Sequence, residues 1–561
     1  MKKIRWQILI IVITLIVVGV LLLTQQPPNN PAEPAPTSGG IYTEALIGSF
    51  GRLNPLLDLK NPSDRDIDRL IFSRLIKFDS KGVPQPDLAE SWGISADGTV
   101  YNVTLRANAQ WQDGIPVTSD DVLFTINLLR SEYSAYPTDV RSMWDQVEVS
   151  RLDEKNIKFV LPEPFVPFLD YLSFGILPQH ILQTISPDQL ASAQFNLAPV
   201  GSGPYKFDHL NTQNGEITGV VLSISKNYYA PVSFIEQVVF RYFQTPEAAL
   251  NAYKQGEVLG ISQIPPNELI SSCSNSNLSC YSSRIPSLTM ILLNLGNNDV
   301  PFLQDKNIRR ALLSGLNRQW MVDNLLQGQA VVANSPILPL TWAYYDGVEQ
   351  IGFDPDIAIN EFKTAGYTLP PVGTVRVKDN VQLSFTMVYP DDKIHTLLAQ
   401  SIQQFWAAIG IELKLQAVSY ESLFNDFLTP RNYEAVLVDL DMIRAYDPDP
   451  YPFWHQAEIT GGQNYSQWDN RTASEYLEQA RVIADPNIRT RLYRNFQVVF
   501  SREIPALLLY YPIYTFGIDL RVQGVQAVPL FEPTDRFNWI SSWYLITRRA
   551  LGQTEQLIIT P

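Results

Sequence analysis

Residues 86–122 constrain the fold of this chain more tightly than any other stretch. Tyr101, Val103 and Leu105 alternate with Asn102, Thr104 and Arg106, the two-residue period of a strand with one buried face. Asp97-Gly98 and Asp113-Gly114 flank that strand. Such dipeptides favour tight turns because glycine adopts left-handed backbone at little cost. Thr118 or Ser119 can then cap a helix that runs on through Val122-Leu123-Phe124-Thr125-Ile126. Its first turn carries Asp120 and Asp121, negative charges at the positive end of the helix dipole. Strand, turn and helix start follow one another closely, which commits the region to α/β structure. Every residue type in it has a local structural reason, so the stretch is expected to be scaffold and to contact no ligand.

The rest of the chain alternates in the same way, with no internal repeat. Strands are expected at Ile41 to Ile47, Val147 to Arg151, Ile157 to Leu161, Val220 to Ile224, Gln237 to Phe243, Leu288 to Leu295, Val381 to Val388, Glu412 to Val418 and Ala435 to Asp439. Helices are expected at Asp120 to Ser131, Pro246 to Gln255, Lys306 to Leu326, Ile357 to Thr364, Ile394 to Ile409, Tyr420 to Leu428, Ala473 to Ala484 and Asn487 to Glu503. The fold class is therefore α/β with mixed sheets. A length of 561 residues allows two or three domains. With 45% hydrophobic and 18% charged residues, the chain is globular rather than disordered. Its formal net charge of −15 argues against nucleic acid, and against anionic lipid held through a basic surface.

The N-terminus points to export. Lys2, Lys3 and Arg5 precede an apolar run from Ile8 to Leu23. As a helix this run spans about 24 Å, slightly short of a bilayer core of roughly 30 Å. Basic residues on the near side predict a cytoplasmic start and an exported body. Thr24-Gln25-Gln26-Pro27 offers no small-residue cleavage site, so residues 1–23 read as an uncleaved anchor, with a cleaved signal segment as the alternative. Pro27, Pro28, Pro31, Pro34 and Pro36 make residues 24–38 an extended linker. Cys273 and Cys280 are the only cysteines and sit in a Ser/Asn-rich loop. In an exported chain they are expected to form a local disulfide.

The residues of the opening stretch also carry a resemblance. Pro86-Asp87-Leu88-Ala89-Glu90-Ser91-Trp92, Asp97-Gly98, Tyr101 to Arg106, Trp111-Gln112-Asp113-Gly114 and Thr118-Ser119-Asp120-Asp121-Val122 resemble, in order, the signature of family 5 extracytoplasmic solute-binding proteins, the dipeptide/oligopeptide type that serves ABC importers. Gly201-Ser202-Gly203-Pro204-Tyr205-Lys206-Phe207, Asn307 to Leu312 with Asn317-Arg318, Phe353-Asp354-Pro355 to Gly366-Tyr367, Gln400 to Trp406 with Gly410-Ile411-Glu412, and Gln463-Asn464-Tyr465-Ser466 extend it over residues 39–545. Leu259 and Asn317 depart from the family pattern, which has Asp at both positions, and both read as scaffold drift. The resemblance implies a two-lobed periplasmic-binding-protein fold, type II, in its large three-subdomain variant. Lobe I would comprise 39–285, with an inserted subdomain at about 76–195. Lobe II would comprise 286–504, the chain would return to lobe I over 505–545, and 546–561 would be a tail.

In peptide-binding relatives the ligand lies extended between the lobes, and a carboxylate anchors its amine, because a buried ammonium needs an opposite charge. The matching segment here is Asp439 to Tyr451. Aligned on Pro450 it puts Tyr446 at the anchoring position; aligned on Pro448 it puts Arg444 there. Asp441 or Asp447 could substitute from an adjacent position, and sugars or modified peptides remain open as ligands. The expected ligand-binding set is Leu59, Lys60 and Asn61 from lobe I, with Asp441, Ile443, Arg444, Tyr446, Asp447, Trp454, Asn464 and Tyr465 from lobe II. Asp-Pro-Asp-Pro at 447–450 also reads as a rigid turn whose aspartates only cap it.

No G-x-S-x-G elbow, H-E-x-x-H helix or phosphate-binding glycine loop occurs, and His180, His209, His395 and His455 are scattered. The chain is read as a binder, not an enzyme, with neither cofactor nor metal. It would be a monomer at the extracytoplasmic face, anchored through its N-terminal segment. Its partners would be a peptide or other small solute and the transmembrane subunits of an ABC permease with cytoplasmic ATPases. A ligand sensor or peptide chaperone of the same fold is the alternative, and an exported hydrolase the least favoured.

Overall fold

Two nearly continuous antiparallel strands tie the molecule together. Leu278–Arg284 and Ser287–Leu293 are separated only by Ile285 and Pro286. Opposite them runs the long strand Ala506–Asp519, which pairs with Ser287–Leu293 through its first half and with Leu278–Arg284 through its second. These are the two chain crossings between the lobes. The computed structural model describes residues 36–274, 277–442 and 446–546.

On the lobe II side of this ribbon the sheet continues through Ala435–Asp441, Ser384–Pro390 and Glu412–Val418. The last two pairings are parallel. On the lobe I side it continues through Gly260–Ile261, Ile41–Ile47, Gln237–Phe243, Glu216–Ile224 and Tyr205–Gln213. The sheet is mixed, as expected. Residues 506–512 of the long strand pair with Ser287–Leu293 and Ala330–Val332, and the rest with Leu278–Arg284 and Gly260–Ile261. A separate four-stranded antiparallel sheet has the order Ala89–Ile94, Val100–Leu105, Asn156–Val160 and Glu148–Arg151.

The opening motif folds as its pattern requires. Tyr101, Val103 and Leu105 are each 1% exposed on the inner face of their strand. Thr118 precedes the helix Ser119–Arg130, and its N–H donates to the carboxylate of Asp121 at 2.8 Å, one arm of a capping box. The expected helix from Lys306 to Leu326 is two helices, Lys306–Ser314 and Arg318–Asn324. Asn317 separates them: its side chain accepts from Trp320 N at 2.9 Å, capping the second helix. Asn317 therefore has a structural task of its own. Tyr420 to Leu428 begins as a helical turn and widens into a π-turn over Leu423–Leu428.

Burial divides the molecule along the ribbon. One core gathers residues of the first half with Phe516 to Trp543, and two others lie within lobe II and the ribbon strands. Arg536 locks the returning segment onto lobe I. Fully buried, it pairs with Glu44 at 2.7 Å and Asp66 at 2.5 Å. Cys273 and Cys280 are disulfide-bonded at the edge of lobe I. Among the described residues no helix is long and apolar enough to cross a membrane. The expected anchor 1–23, all but the last residues of the linker, and the tail from 547 lie outside the described residues.

Candidate functional site

A cavity of about 450 Å³ opens between the lobes beside the crossing at Pro286. Lobe I supplies Leu59, Trp144, Phe165, Tyr171, Phe174 and Phe531 to its wall, and lobe II supplies Ile337, Leu338, Met442 and Phe453. Most of the lobe I side comes from residues 129–174. There the run Phe165-Val166-Pro167-Phe168-Leu169-Asp170-Tyr171 winds as a short 3-10 helix over Val166–Leu172. Trp144 packs edge-on against Phe174 at 5.8 Å, which sets a rigid aromatic floor.

The charged groups of the wall are Asp170, Asp441, Asp447, Asp449 and Arg481. Asp447 forms an ion pair at 2.7 Å with Arg489, whose guanidinium lies over the ring of Trp342. Burial works against the charge on Arg489, but Asp447 holds its pKa above the usual value. Asp449 pairs at 2.7 Å with Arg481, and Arg481 is sandwiched between Tyr451 of lobe II at 3.6 Å and Phe165 of lobe I at 5.4 Å. Asp170 reaches across from lobe I and accepts the backbone N–H of Asp447 at 2.7 Å. Burial, reinforced by the negative charge of Asp447, pushes the Asp170 carboxyl well above the usual carboxylate range.

Tyr446 does not face the cavity. Although it belongs to the lobe II segment, it is 2% exposed inside the core of lobe I. Its ring stacks on Phe78 at 4.2 Å and meets Phe531 at 5.2 Å. Its hydroxyl accepts from Arg74 at 2.9 Å and lies 3.5 Å from Glu532. The strand turn at Gly82 makes room for this plug: a Cβ there would stand 2.6 Å from the carbonyl oxygen of Tyr446, and Gly82 has φ of +79°. Tyr446 and Asp447 together join the lobes across the cleft.

The other expected site residues divide. Leu59 and Asp441 line the cavity, and Asp441 closes the strand Ala435–Asp441. Lys60 is exposed at the end of a 3-10 turn and is not in the wall. Asn61 caps the helix Pro62–Ile71, accepting from Ser63 N at 3.1 Å. Trp454 is buried against Phe500 at 4.7 Å within lobe II. Asn464 is fully buried and ties its own turn, donating to the carbonyls of His455 and Trp468. Tyr465 lies under the guanidinium of Arg431 at 4.6 Å. None of these last three reaches the cavity wall. Ile443 and Arg444 lie outside the described residues. Sequence reasoning missed Asp170, Arg481 and the aromatic floor. The one signal, and for Asp170 and its aromatic neighbours alone, is the density of aromatic and proline residues around a lone aspartate at 164–174.

A smaller polar recess of about 40 Å³ adjoins the cavity through Tyr136, Ser173 and Phe174. Arg65, Arg69 and Arg74 meet Asp58, Asp68 and Glu532 there. Arg69 is bound to Glu532 and, at 2.8 Å, to Asp535.

Comparison with known proteins bears on this geometry. The model of a family described as bacterial extracellular solute-binding proteins, family 5 Middle, matches residues 83–464. The oligopeptide-binding protein AppA of Bacillus subtilis (strain 168) is 26% identical over 521 residues, covering 91% of this chain and 92% of AppA. A solved structure of AppA in complex with a nonapeptide superposes with a TM-score of 0.69 at 25% identity, over 91% of this chain and all of that one. The dipeptide-binding protein of Escherichia coli (strain K12) is 25% identical over 489 residues, covering 82% of this chain and 87% of the relative. HbpA2 of Haemophilus parasuis, 21% identical, shares the fold with a TM-score of 0.78 over 91% of this chain and all of that one.

Proposed function

The chain belongs to family 5 of the bacterial extracellular solute-binding proteins, and from that premise we propose that it captures a short peptide or related small solute between its lobes for an ABC importer. The observation that carries the reading is the interlobe cavity. Its volume of about 450 Å³ lies within the roughly 300–1,000 Å³ of small-molecule sites. Its wall is mainly apolar and is built by both lobes. A solute there touches both walls only when the lobes are together. Ligand shifts the equilibrium toward the closed form by as much as its affinity for the two forms differs. The closed form is then the species that the permease subunits, driven by cytoplasmic ATPases, receive.

Of the residues expected from sequence, Leu59, Asp441 and Asp447 are assigned to the ligand site, joined by Asp170, Phe165 and Leu338. Tyr446 is assigned to closure. The peptide class follows from relatives named for oligopeptide and dipeptide binding. The basic-flanked apolar segment ending at Leu23 would hold the body at the extracytoplasmic face, where it works as a monomer.

The test is to denature the purified protein and identify the released small molecules by mass spectrometry. Short peptides are the expected result. A single non-peptide solute would overturn the peptide assignment. A protein that releases nothing, and whose melting temperature no short peptide raises, would overturn the binding assignment itself.

A further inference from the structure

We propose that this cleft selects a peptide whose buried N-terminal end is uncharged, such as an N-acylated apolar peptide, and discriminates against a free ammonium. The inference rests on the peptide reading above and deepens it. Its basis is that the protein's own arginines already compensate Asp447 and Asp449 of the cavity wall. Asp447 is held by Arg489 at 2.7 and 2.8 Å from two guanidinium nitrogens, and the Tyr493 hydroxyl lies 3.4 Å from it. Asp449 is held by Arg481 at 2.7 Å. Asp441 is exposed at the end of the strand Ala435–Asp441 and is not among the less exposed carboxylates of the wall. Asp170 accepts a backbone N–H from Asp447 at 2.7 Å.

Asp170, which meets Asp447 from lobe I, is no anchor for an ammonium. Burial and the neighbouring Asp447 charge raise its pKa, which favours the neutral carboxyl. A neutral acid can share a hydrogen bond with an amide or a carbonyl, but it cannot balance a buried positive charge. Enclosing an ammonium beside Asp170, Asp447 and Asp449, away from the exposed Asp441, would mean breaking one of the two arginine pairs or leaving the charge unbalanced, and either is costly in a low-dielectric site. The apolar wall of Leu59, Phe165, Leu338 and Phe453 suits side chains and an acyl cap equally well. Tyr446, one of the two residues that the resemblance aligns with an amine-binding carboxylate, has its ring committed to the core of lobe I.

The experiment incubates the purified protein with an equimolar pool of synthetic apolar tri- to pentapeptides. Each sequence is present both with a free amine and as its N-acetyl derivative, and the retained peptides are quantified by mass spectrometry. The expected result is retention of acetylated forms at least about tenfold above their free-amine twins, the size of effect set by a buried unpaired charge. Equal retention, or a preference for free amines, overturns this inference and leaves the peptide reading standing. Retention of neither form overturns both.

Discussion

Replacing Tyr446 separates closure from folding. The Tyr446 hydroxyl accepts a 2.9 Å hydrogen bond from the Arg74 guanidinium, and the ring stacks on Phe78 and meets Phe531 at a tilt. When the lobes part, the ring leaves the lobe I core and the hydroxyl returns to water, so these contacts belong to the closed state. Tyr446→Phe keeps the stack and removes a hydrogen bond to a charged group, at a cost of about 1.5–3 kcal/mol. Tyr446→Ala removes the ring as well and costs about 3–5 kcal/mol, the range for truncating a buried aromatic. Where the closed form is the minority before ligand arrives, its lost population enters the apparent affinity in full. At about 1.4 kcal/mol per decade, Phe weakens binding about tenfold to a hundredfold, and Ala by about two to four decades. The assay is isothermal titration of each variant with the peptide retained most strongly from the pool, alongside its melting temperature. The account requires affinity to fall while each lobe melts near the wild-type temperature. A lowered melting temperature with unchanged affinity would refute it, because Tyr446 would then be a permanent part of the lobe I core.

Three further outcomes follow from the geometry. Arg536→Met leaves Glu44 and Asp66 buried without their cation and is expected to destabilise the protein by about 3–5 kcal/mol; denaturant unfolding within 1 kcal/mol of wild type, on the order of a surface change, would remove this ion cluster as the tie of the returning segment. The raised pKa of Asp170 means that its contribution to stability is fully present below about pH 3.9 and is lost as pH rises through the raised value. Thermal melts from acid to neutral pH should therefore show wild type losing more stability than Asp170→Asn as pH increases, and parallel curves would contradict the assignment. Changing both Cys273 and Cys280 to Ser opens a short loop at the edge of lobe I, away from the cavity. It should cost about 2 kcal/mol of stability with no change in peptide affinity, and a large drop in affinity would count against the separation of that edge from the site.

Local pattern made much of the scaffold legible. Ile41–Ile47, Gln237–Phe243 and Glu412–Val418 are strands over the residues their composition indicates, because alternation and β-branching act at short range. The helix Pro62–Ile71 was not anticipated, although Asn61 as cap and Pro62 at the first position are start signals. Its Ser-Asp-Arg-Asp-Ile-Asp-Arg run is dense in charge, yet Asp64, Asp66 and Asp68 are buried. The site was less legible still. Tyr446 meets Arg74 across 372 residues of sequence, and no periodicity reports such a contact. Trp454 and Asn464 had the chemistry of ligand contacts, but tertiary packing placed them in the core of lobe II. Asp447 reads as an anchor from its position in the sequence, yet its partner Arg489 sits on a distant helix, Pro486–Glu503.

The central claim is that the solute lies between the lobes, and the measurement that tests it most directly is photocrosslinking. A retained peptide carrying a diazirine side chain would be irradiated with the full-length protein, and the adduct mapped by tandem mass spectrometry. The account predicts adducts on Trp144, Phe165, Leu338 or Phe453 that vanish when unlabelled peptide is added in excess. Competable adducts confined to residues outside that wall would contradict it.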